Sequence, residues 1–441
     1  MNKSLFGTDG IRGHYGSEEI NDRMAYRLGV AIGKHLRNHD ILDGTVLLGR
    51  DPRSSGESLQ KACSAGIKKE GFQPLDAGIL PTPALAHGTT YIKAKMGVMV
   101  TASHNPASDN GLKLFSAKGA KLLMDEEKEV ENLLLANESS GENYAEGESV
   151  EVRQNYMQNI CNFFPANFLE GKHIILDTAN GATCSTSPEV FTRFGAEVSC
   201  LHQGDGIINQ QAGSEHPDAL IGKMSESNAF LGVAHDGDGD RAVFVAPSGK
   251  LIDGDQILGL LARYAQDQNR LKANGFVSTV HSNSGLGHSL ATSGIKLHRS
   301  DVGDRNVSAL MEKLNCNWGG ESSGHIVAHD YLPTGDGLYT ALSIAHALTE
   351  SKKTLTEMTE WIKLWPSKSS AFHVSQKIPL EDCPEIQSSL QQSKEDLGEN
   401  GRVLLRYSGT EPKIRLLVEA KNENLVNSIF SKIQCTIEKT L

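Results

Sequence analysis

The pattern that most restricts how this chain can fold occurs three times along it: a short apolar run breaks into a small, polar loop, and a helix follows. Its chemistry is densest in residues 97–113, GVMVTASHNPASDNGLK. Val98, Met99 and Val100 form the apolar run expected of a buried parallel strand. Thr101-Ala102-Ser103-His104-Asn105-Pro106 then interrupts it, and Pro106 cannot continue a strand ladder. In open α/β sheets ligands bind beyond the carboxyl ends of the strands. Ser103 stands there, with His104 beside it and Lys113 just after the Asn110-Gly111 turn. A hydroxyl so placed can be a nucleophile or phosphate carrier, or can simply bond the backbone of its own turn.

The same alternation organises the rest. Strands are expected at 46–48, 73–77, 173–176, 197–201, 231–234, 242–246, 276–280, 295–298 and 316–318. Helices are expected at 21–37, 55–70, 124–137, 218–228 and 256–265, and long ones after His325 run to 364, where Trp365-Pro366 stops them. Strands at 402–407 and 413–419 and a last helix complete the chain. A length of 441 residues suits about three domains of ~150 each. The pattern gives three α/β units with mixed, largely parallel sheets and a smaller C-terminal α+β domain, over 1–150, 151–250, 251–366 and 367–441. Residues 138–150, ESSGENYAEGESV, are nearly devoid of apolar side chains and read as a linker or exposed excursion.

A net charge of −11 argues against a nucleic-acid partner. It also means that an anionic substrate needs cations gathered locally in a cleft. No apolar run approaches the ~18 residues of a membrane span, and the first residues lack a secretory apolar core, so a cytoplasmic protein is expected. The seven cysteines form no C-x-x-C pair and read as reduced thiols.

Three further stretches carry chemistry. Asp236, Asp238 and Asp240 alternate with glycines, so their oxygens can converge on one hard cation. The EF-hand alternative fails, because Arg241 and Pro247 stand where Gly and Glu are needed. An aspartyl-phosphate or a solvated acidic turn remains open, although three close carboxylates repel unless neutralised. If the ligand is a phosphate, Mg²⁺ suits, since it keeps positions open for phosphate oxygens. Gly319–His325 offers Glu321, Ser323 and His325, which suit sugar hydroxyls or equally a helix cap with a core histidine. Arg406-Tyr407-Ser408-Gly409-Thr410 with Arg415 suits a phosphate cradle, or a hairpin with surface arginines.

In order, FGTDGIRG, TASHNPASDNGLK, DGDGDR, GGESSGH and RYSGTEPKIR resemble the signatures of the α-D-phosphohexomutases across nearly the whole chain. FGTDGIRG, LDTANGAT, GSEHP and DVGDR are similar to the bacterial amino-sugar branch of that family. The resemblance implies four domains around a central cleft. It also implies interconversion of the 6- and 1-phosphates of glucosamine, a phosphosugar, through a bound 1,6-bisphosphate. The same machinery in a phosphomannomutase/phosphoglucomutase is the alternative; a phosphatase and a binding protein without turnover are further ones. By the resemblance, Ser103 carries the phosphoryl group as phosphoserine, and Mg²⁺ joins it to Asp236, Asp238 and Asp240. Arg12, Lys113 and Arg241 offset charge, with His104 beside the serine, and His325 or Lys113 handles the hydroxyl proton. Glu321 and Ser323 hold sugar hydroxyls, and the 301–305 loop, through Asp304 and Arg305, helps to choose the sugar. Arg406, Ser408, Gly409, Thr410 and Arg415 grip the phosphate that is not reacting. A homodimer is left open. Ser322 and His235 depart from the family's usual residues and bear on sugar preference.

Overall fold

The computed structural model describes residues 5–7, 9–136, 144–408 and 412–441. The first stretch runs β1 (Ile11–His14), α1 (Asp22–Asn38), β2 (Thr45–Arg50), α2 (Gly56–Lys69), β3 (Gln73–Ile79), α3 (Thr82–Tyr91), β4 (Met96–Val100), β5 (Asp109–Ser116), α4 (Met124–Leu135) and β6 (Glu148–Ser149). Its sheet has the order β1-β5-β4-β2-β3-β6. β2, β3, β4 and β6 are parallel, whereas β5 is antiparallel to both β4 and β1. Every residue of β4 is buried, which is why that strand shows no polar alternation. α1 begins where the Asn21 side chain accepts the Met24 N–H, and its apolar stripe packs toward the sheet. α1 and α2 approach backbone to backbone: a Cβ on Gly29 would lie 2.1 Å from the Cys63 carbonyl oxygen, and one on Gly66 2.1 Å from that of Tyr26.

The segment expected to be a linker is partly a strand. Glu148 and Ser149 pair in parallel with Leu75 and Asp76 of β3 and form the last strand of the sheet. A two-residue edge strand needs only backbone groups, so its polar side chains concealed it. Residues 138–143 of that segment lie outside the described residues.

The second stretch runs α5 (Arg153–Cys161), β7 (His173–Asp177), α6 (Ser187–Arg193), β8 (Glu197–Leu201), α7 (Asp218–Ser225), β9 (Leu231–His235) and β10 (Ala242–Val245). Its sheet, β10-β9-β7-β8, is parallel except for the antiparallel β9–β10 pair. The third runs α8 (Gly254–Asp267), β11 (Gly275–Thr279), α9 (Ser284–Thr292), β12 (Lys296–Ser300), α10 (Asp304–Leu314), β13 (Trp318–Gly320), β14 (Ile326–Ala328), β15 (Leu332–Gly335), α11 (Gly337–Ser351) and α12 (Leu355–Thr359). Its sheet is β12-β11-β13-β14-β15, with β11 and β13 parallel and β13, β14 and β15 antiparallel in succession. The last runs β16 (Ser367–His373), α13 (Pro384–Leu397), β17 (Gly401–Tyr407), β18 (Lys413–Ala420) and α14 (Glu423–Thr440), with an antiparallel sheet β16-β18-β17.

The protein is thus α/β, with three mixed sheets and a small antiparallel C-terminal one. It divides into two compact units: Met1–Val280 with His298–Thr359, and His281–Leu297 with Glu360–Leu441. In the smaller unit β18 turns Ile414, Leu416 and Val418 onto Ile429, Phe430 and Ile433 of α14, leaving Arg415 exposed between them. No helix among the described residues is long and apolar enough to cross a membrane.

Candidate active site

Ser103 follows the carboxyl end of β4 and is fully buried, with a left-handed backbone at φ 52°. For a residue with a Cβ that conformation is strained by about 1–3 kcal/mol, and the surroundings fix it. The Ser103 N–H donates to Thr101 Oγ1 at 2.9 Å. Its carbonyl oxygen accepts from Arg53 Nη2 at 2.9 Å and from Asn209 Nδ2 at 2.7 Å. Arg53 also donates to the carbonyls of Asn105, Pro106 and Asp109, so one buried guanidinium gathers the loop around itself. Asp51 holds that guanidinium through Oδ2 at 2.9 Å and accepts the Thr101 hydroxyl at 2.6 Å. The Ser103 hydroxyl is left pointing at Asp236, whose Oδ2 it reaches at 2.5 Å.

The three aspartates occupy the loop joining β9 to β10, where the antiparallel register starts at His235↔Ala242. Their carboxylate oxygens lie within 4.8 Å of one another and all three residues are buried. Other segments pin the loop by its carbonyls: Gly237 accepts from the Ala182 N–H, Asp238 from Thr82 and Gly239 from Gly337. A Cβ on Gly237 would meet the Ser103 carbonyl at 2.8 Å, so glycine is what lets the two loops touch. His235 braces the loop from behind: Ser187 Oγ lies 3.0 Å from its Nε2, and the Arg241 carbonyl 3.1 Å from its Nδ1. Burial pushes that ring down to about 4, so it is a neutral structural histidine.

Lys113, itself buried, reaches Asp238 at 2.8 Å, Asp240 at 2.9 Å and Asp9 at 3.1 Å. Asp9 also pairs with Arg12 and Lys121, and Lys121 with Asp304. His325 closes the chain of charges, with Nδ1 3.4 Å from Asp240 Oδ1 and Nε2 3.4 Å from Asp304 Oδ2. Burial works against charge on that imidazole, but the two carboxylates outweigh it and its pKa is raised. Burial likewise disfavours an ionised Asp240, yet Lys113 and His325 hold it well below the usual range. Asp236 goes the other way, raised by burial and then by its two neighbours. Asp238 keeps Oδ1 buried without a hydrogen-bond partner. An all-oxygen, anionic donor set with an orphaned buried oxygen fits a hard divalent cation.

Arg241 lies along the triad, its N–H donating to Asp236 Oδ1 at 3.2 Å and its Nη1 3.5 Å from Glu215. His104 is half-buried, and burial, followed by the charge of Arg241, pushes its ring down to about 4. The 321–325 loop joins β13 to β14 and meets the aspartate loop through a bridge between Arg241 and His325. Glu321 accepts the Gly303 N–H at 3.0 Å, tying it to the 301–305 loop, and Ser323 is exposed. Arg305 pairs with Glu127 of α4. In the smaller unit Arg406 and Arg415 stand opposite each other on β17 and β18. His281 Nε2 lies 2.7 Å from Arg406 Nη2, and Lys377 Nζ donates to the Ser408 carbonyl at 2.6 Å. Gly409 and Thr410 lie outside the described residues.

The structure therefore brings Ser103, Lys113, Asp236, Asp238, Asp240, Arg241, Asp304 and His325 into one buried cluster, with Arg12 joined to it through Asp9. Sequence reasoning missed Asp9, Asp51, Arg53, Lys121 and Asn209. Asp9 sits inside FGTDGIRG and Asp51 and Arg53 follow a predicted strand end, which was a usable signal; Lys121 and Asn209 carried none.

The description "Phosphoglucomutase/phosphomannomutase, alpha/beta/alpha domain I" matches residues 3–141, domain III of the same family matches 253–364, and its C-terminal domain matches 371–434. The phosphoglucosamine mutase of Nautilia profundicola is 40% identical over 437 residues, covering 98% of both chains. That of Campylobacter fetus is 38% identical over 448 residues, covering 99% of both. Among solved structures, a phosphoglucomutase/phosphomannomutase family protein from Burkholderia thailandensis superposes with a TM-score of 0.83 at 21% identity, over 99% of this chain and 97% of the other. The N-acetylphosphoglucosamine mutase of Aspergillus fumigatus, solved in complex with GlcNAc-6P and magnesium, gives 0.68 at 17% identity, over 99% and 95%.

Proposed function

The chain belongs to the phosphoglucomutase/phosphomannomutase family of α-D-phosphohexomutases, and from that membership we propose that it interconverts glucosamine 6-phosphate and glucosamine 1-phosphate. Ser103 is the proposed phosphoryl carrier. The observation that carries this reading is its hydroxyl, held in a strained turn 2.5 Å from Asp236 beside two more buried carboxylates. The sugar assignment rests on full-length relatives named phosphoglucosamine mutase.

In the forward half-reaction the P–O bond to Ser103 Oγ breaks as a P–O bond to the sugar hydroxyl forms, and the hydroxyl proton passes to a base. The returning half moves the other phosphoryl group from the 1,6-bisphosphate to Ser103. Such transfers depend mostly on positioning and charge stabilisation. Asp236, Asp238 and Asp240 are the proposed Mg²⁺ ligands, together with the Ser103 oxygen, and the ion would neutralise charge on the transferring group. Arg12, Lys113 and Arg241 supply the fixed positive charge. Lys113 hydrogen-bonds Asp238 and Asp240 and lies 3.1 Å from a third carboxylate, Asp9, which suits a permanent cation. His325 is therefore the proposed proton acceptor and donor. Glu321 and Ser323 are assigned to sugar hydroxyls, and Asp304 and Arg305 to sugar choice. Arg406 and Arg415 face each other on β17 and β18, two guanidinium forks of the kind that bind phosphate. With Ser408, Gly409 and Thr410 they form the proposed grip on the distal phosphate.

The test is kcat/KM on the 6-phosphates of glucosamine, glucose and mannose, with Ser103→Ala as control. Glucosamine should rank first and the variant should be inactive with an unchanged melting temperature. A higher value for glucose or mannose would assign the chain to the other mutases, and a turning-over Ser103→Ala would remove the carrier role.

A further inference from the structure

His35 lies in the last turn of α1 and His39 is the residue that caps its C-terminus, and Glu129 of α4 lies near both. The potential ligand atoms of the three residues lie within 4.8 Å of one another. His35 Nδ1 is 3.1 Å from Glu129 Oε2, and His39 Nε2 is 3.8 Å from the same oxygen. The surroundings orient each group. His39 Nδ1 bonds the His35 carbonyl at 3.0 Å, so that nitrogen carries the proton and Nε2 of the neutral ring carries the lone pair. Asn38 donates to Glu129 Oε1 at 2.9 Å, which leaves Oε2 turned toward the imidazoles. Neighbouring ligands in a tetrahedral shell with bonds of about 2.0–2.1 Å stand roughly 3.3 Å apart. The two separations bracket that value.

We propose that His35, His39 and Glu129 bind one borderline divalent transition metal of the Zn²⁺ class, with water as fourth ligand. Two imidazoles and a carboxylate are a donor set such ions prefer, whereas the oxygen-only triad suits a hard ion. The cap geometry brings the two rings to 4.4 Å between centroids, close enough to share one ion. The metal staples α4 to α1.

Co²⁺, a spectroscopic probe for such a site, is titrated into the full-length protein saturated with Mg²⁺. The expected result is an intense visible ligand-field band that saturates at one equivalent, is abolished by Zn²⁺, and accompanies a higher melting temperature. His39 is half exposed, so His39→Gln should fold normally. It should lower Co²⁺ affinity at least about tenfold while leaving Mg²⁺-dependent turnover unchanged, and Glu129→Gln should do the same. Identical Co²⁺ titrations of wild type and His39→Gln would overturn the site, as would a band with thiolate charge-transfer character, which would place the metal on a cysteine.

Discussion

Ser103 combines a buried hydroxyl aimed at Asp236 with a backbone conformation that its own Cβ opposes, and the groups that impose it come from far away in the chain. Arg53 does most of this, with bonds to the carbonyls of Ser103, Asn105, Pro106 and Asp109. Arg53→Lys keeps the charge but cannot present a planar fork to several carbonyls at once. It should lower kcat by about 10²-fold, the usual result of misplacing a reacting group by an ångström, with KM little changed. Steady-state kinetics beside a melting curve checks this, and wild-type kcat would free Ser103 from dependence on Arg53. The aspartates and Ser103 were legible because residue type and spacing alone suggest their chemistry. Lys121 and Asn209 were not, because their meaning lies in partners that only the folded chain supplies, and for Asp9 and Arg53 position in a motif or at a strand end was a signal that did not name the partner.

At the scale of elements, the α1–α2 crossing and the start of α11 each rest on a few atoms. Gly66→Val would push a side chain into the Tyr26 carbonyl. It should cost about 1–3 kcal/mol, read as a lower urea midpoint, and an unchanged midpoint would mean the helices can separate freely. Asp336 caps α11 by accepting the Tyr339 N–H, and the hydroxyls of Tyr156 and Tyr331 donate to it. Burial nonetheless pushes its carboxyl up to about 6 from 3.8. The folded protein therefore holds this proton more tightly than the unfolded chain. Ionisation is a destabilising contribution, complete above the folded value and relieved as pH falls through it. Measured against Asp336→Asn, the wild type should gain stability from about pH 7 to about pH 4.5, on the order of 2–3 kcal/mol. A flat or inverted difference in urea midpoints would show that the carboxyl is not perturbed. Long periodic helices such as α1 and buried runs such as β4 were readable in advance. β14 and β15 are too short to show any alternation, and β6 is held by backbone pairing alone.

Across the whole molecule the overall charge is −11, so the cations proposed to meet a phosphosugar must act locally. Raising NaCl from about 0.05 M to about 0.3 M should raise KM for the phosphosugar several-fold by screening. The rise should be shallower in Arg415→Gln, whose guanidinium is exposed on β18; equal slopes would take Arg415 out of substrate capture. The order of units was legible because each carries its own motif, whereas the network from Asp9 through Lys121, Asp304 and His325 to Asp240 joins residues of three units and is spelled out by no single motif. The short strand β6 has a practical corollary. A recombinant fragment ending after α4 would leave the outer edge of β3 with bare N–H and C=O groups, an invitation to self-association. One carried through Val150 keeps that edge covered, and of the two it should run as the monodisperse species in light scattering.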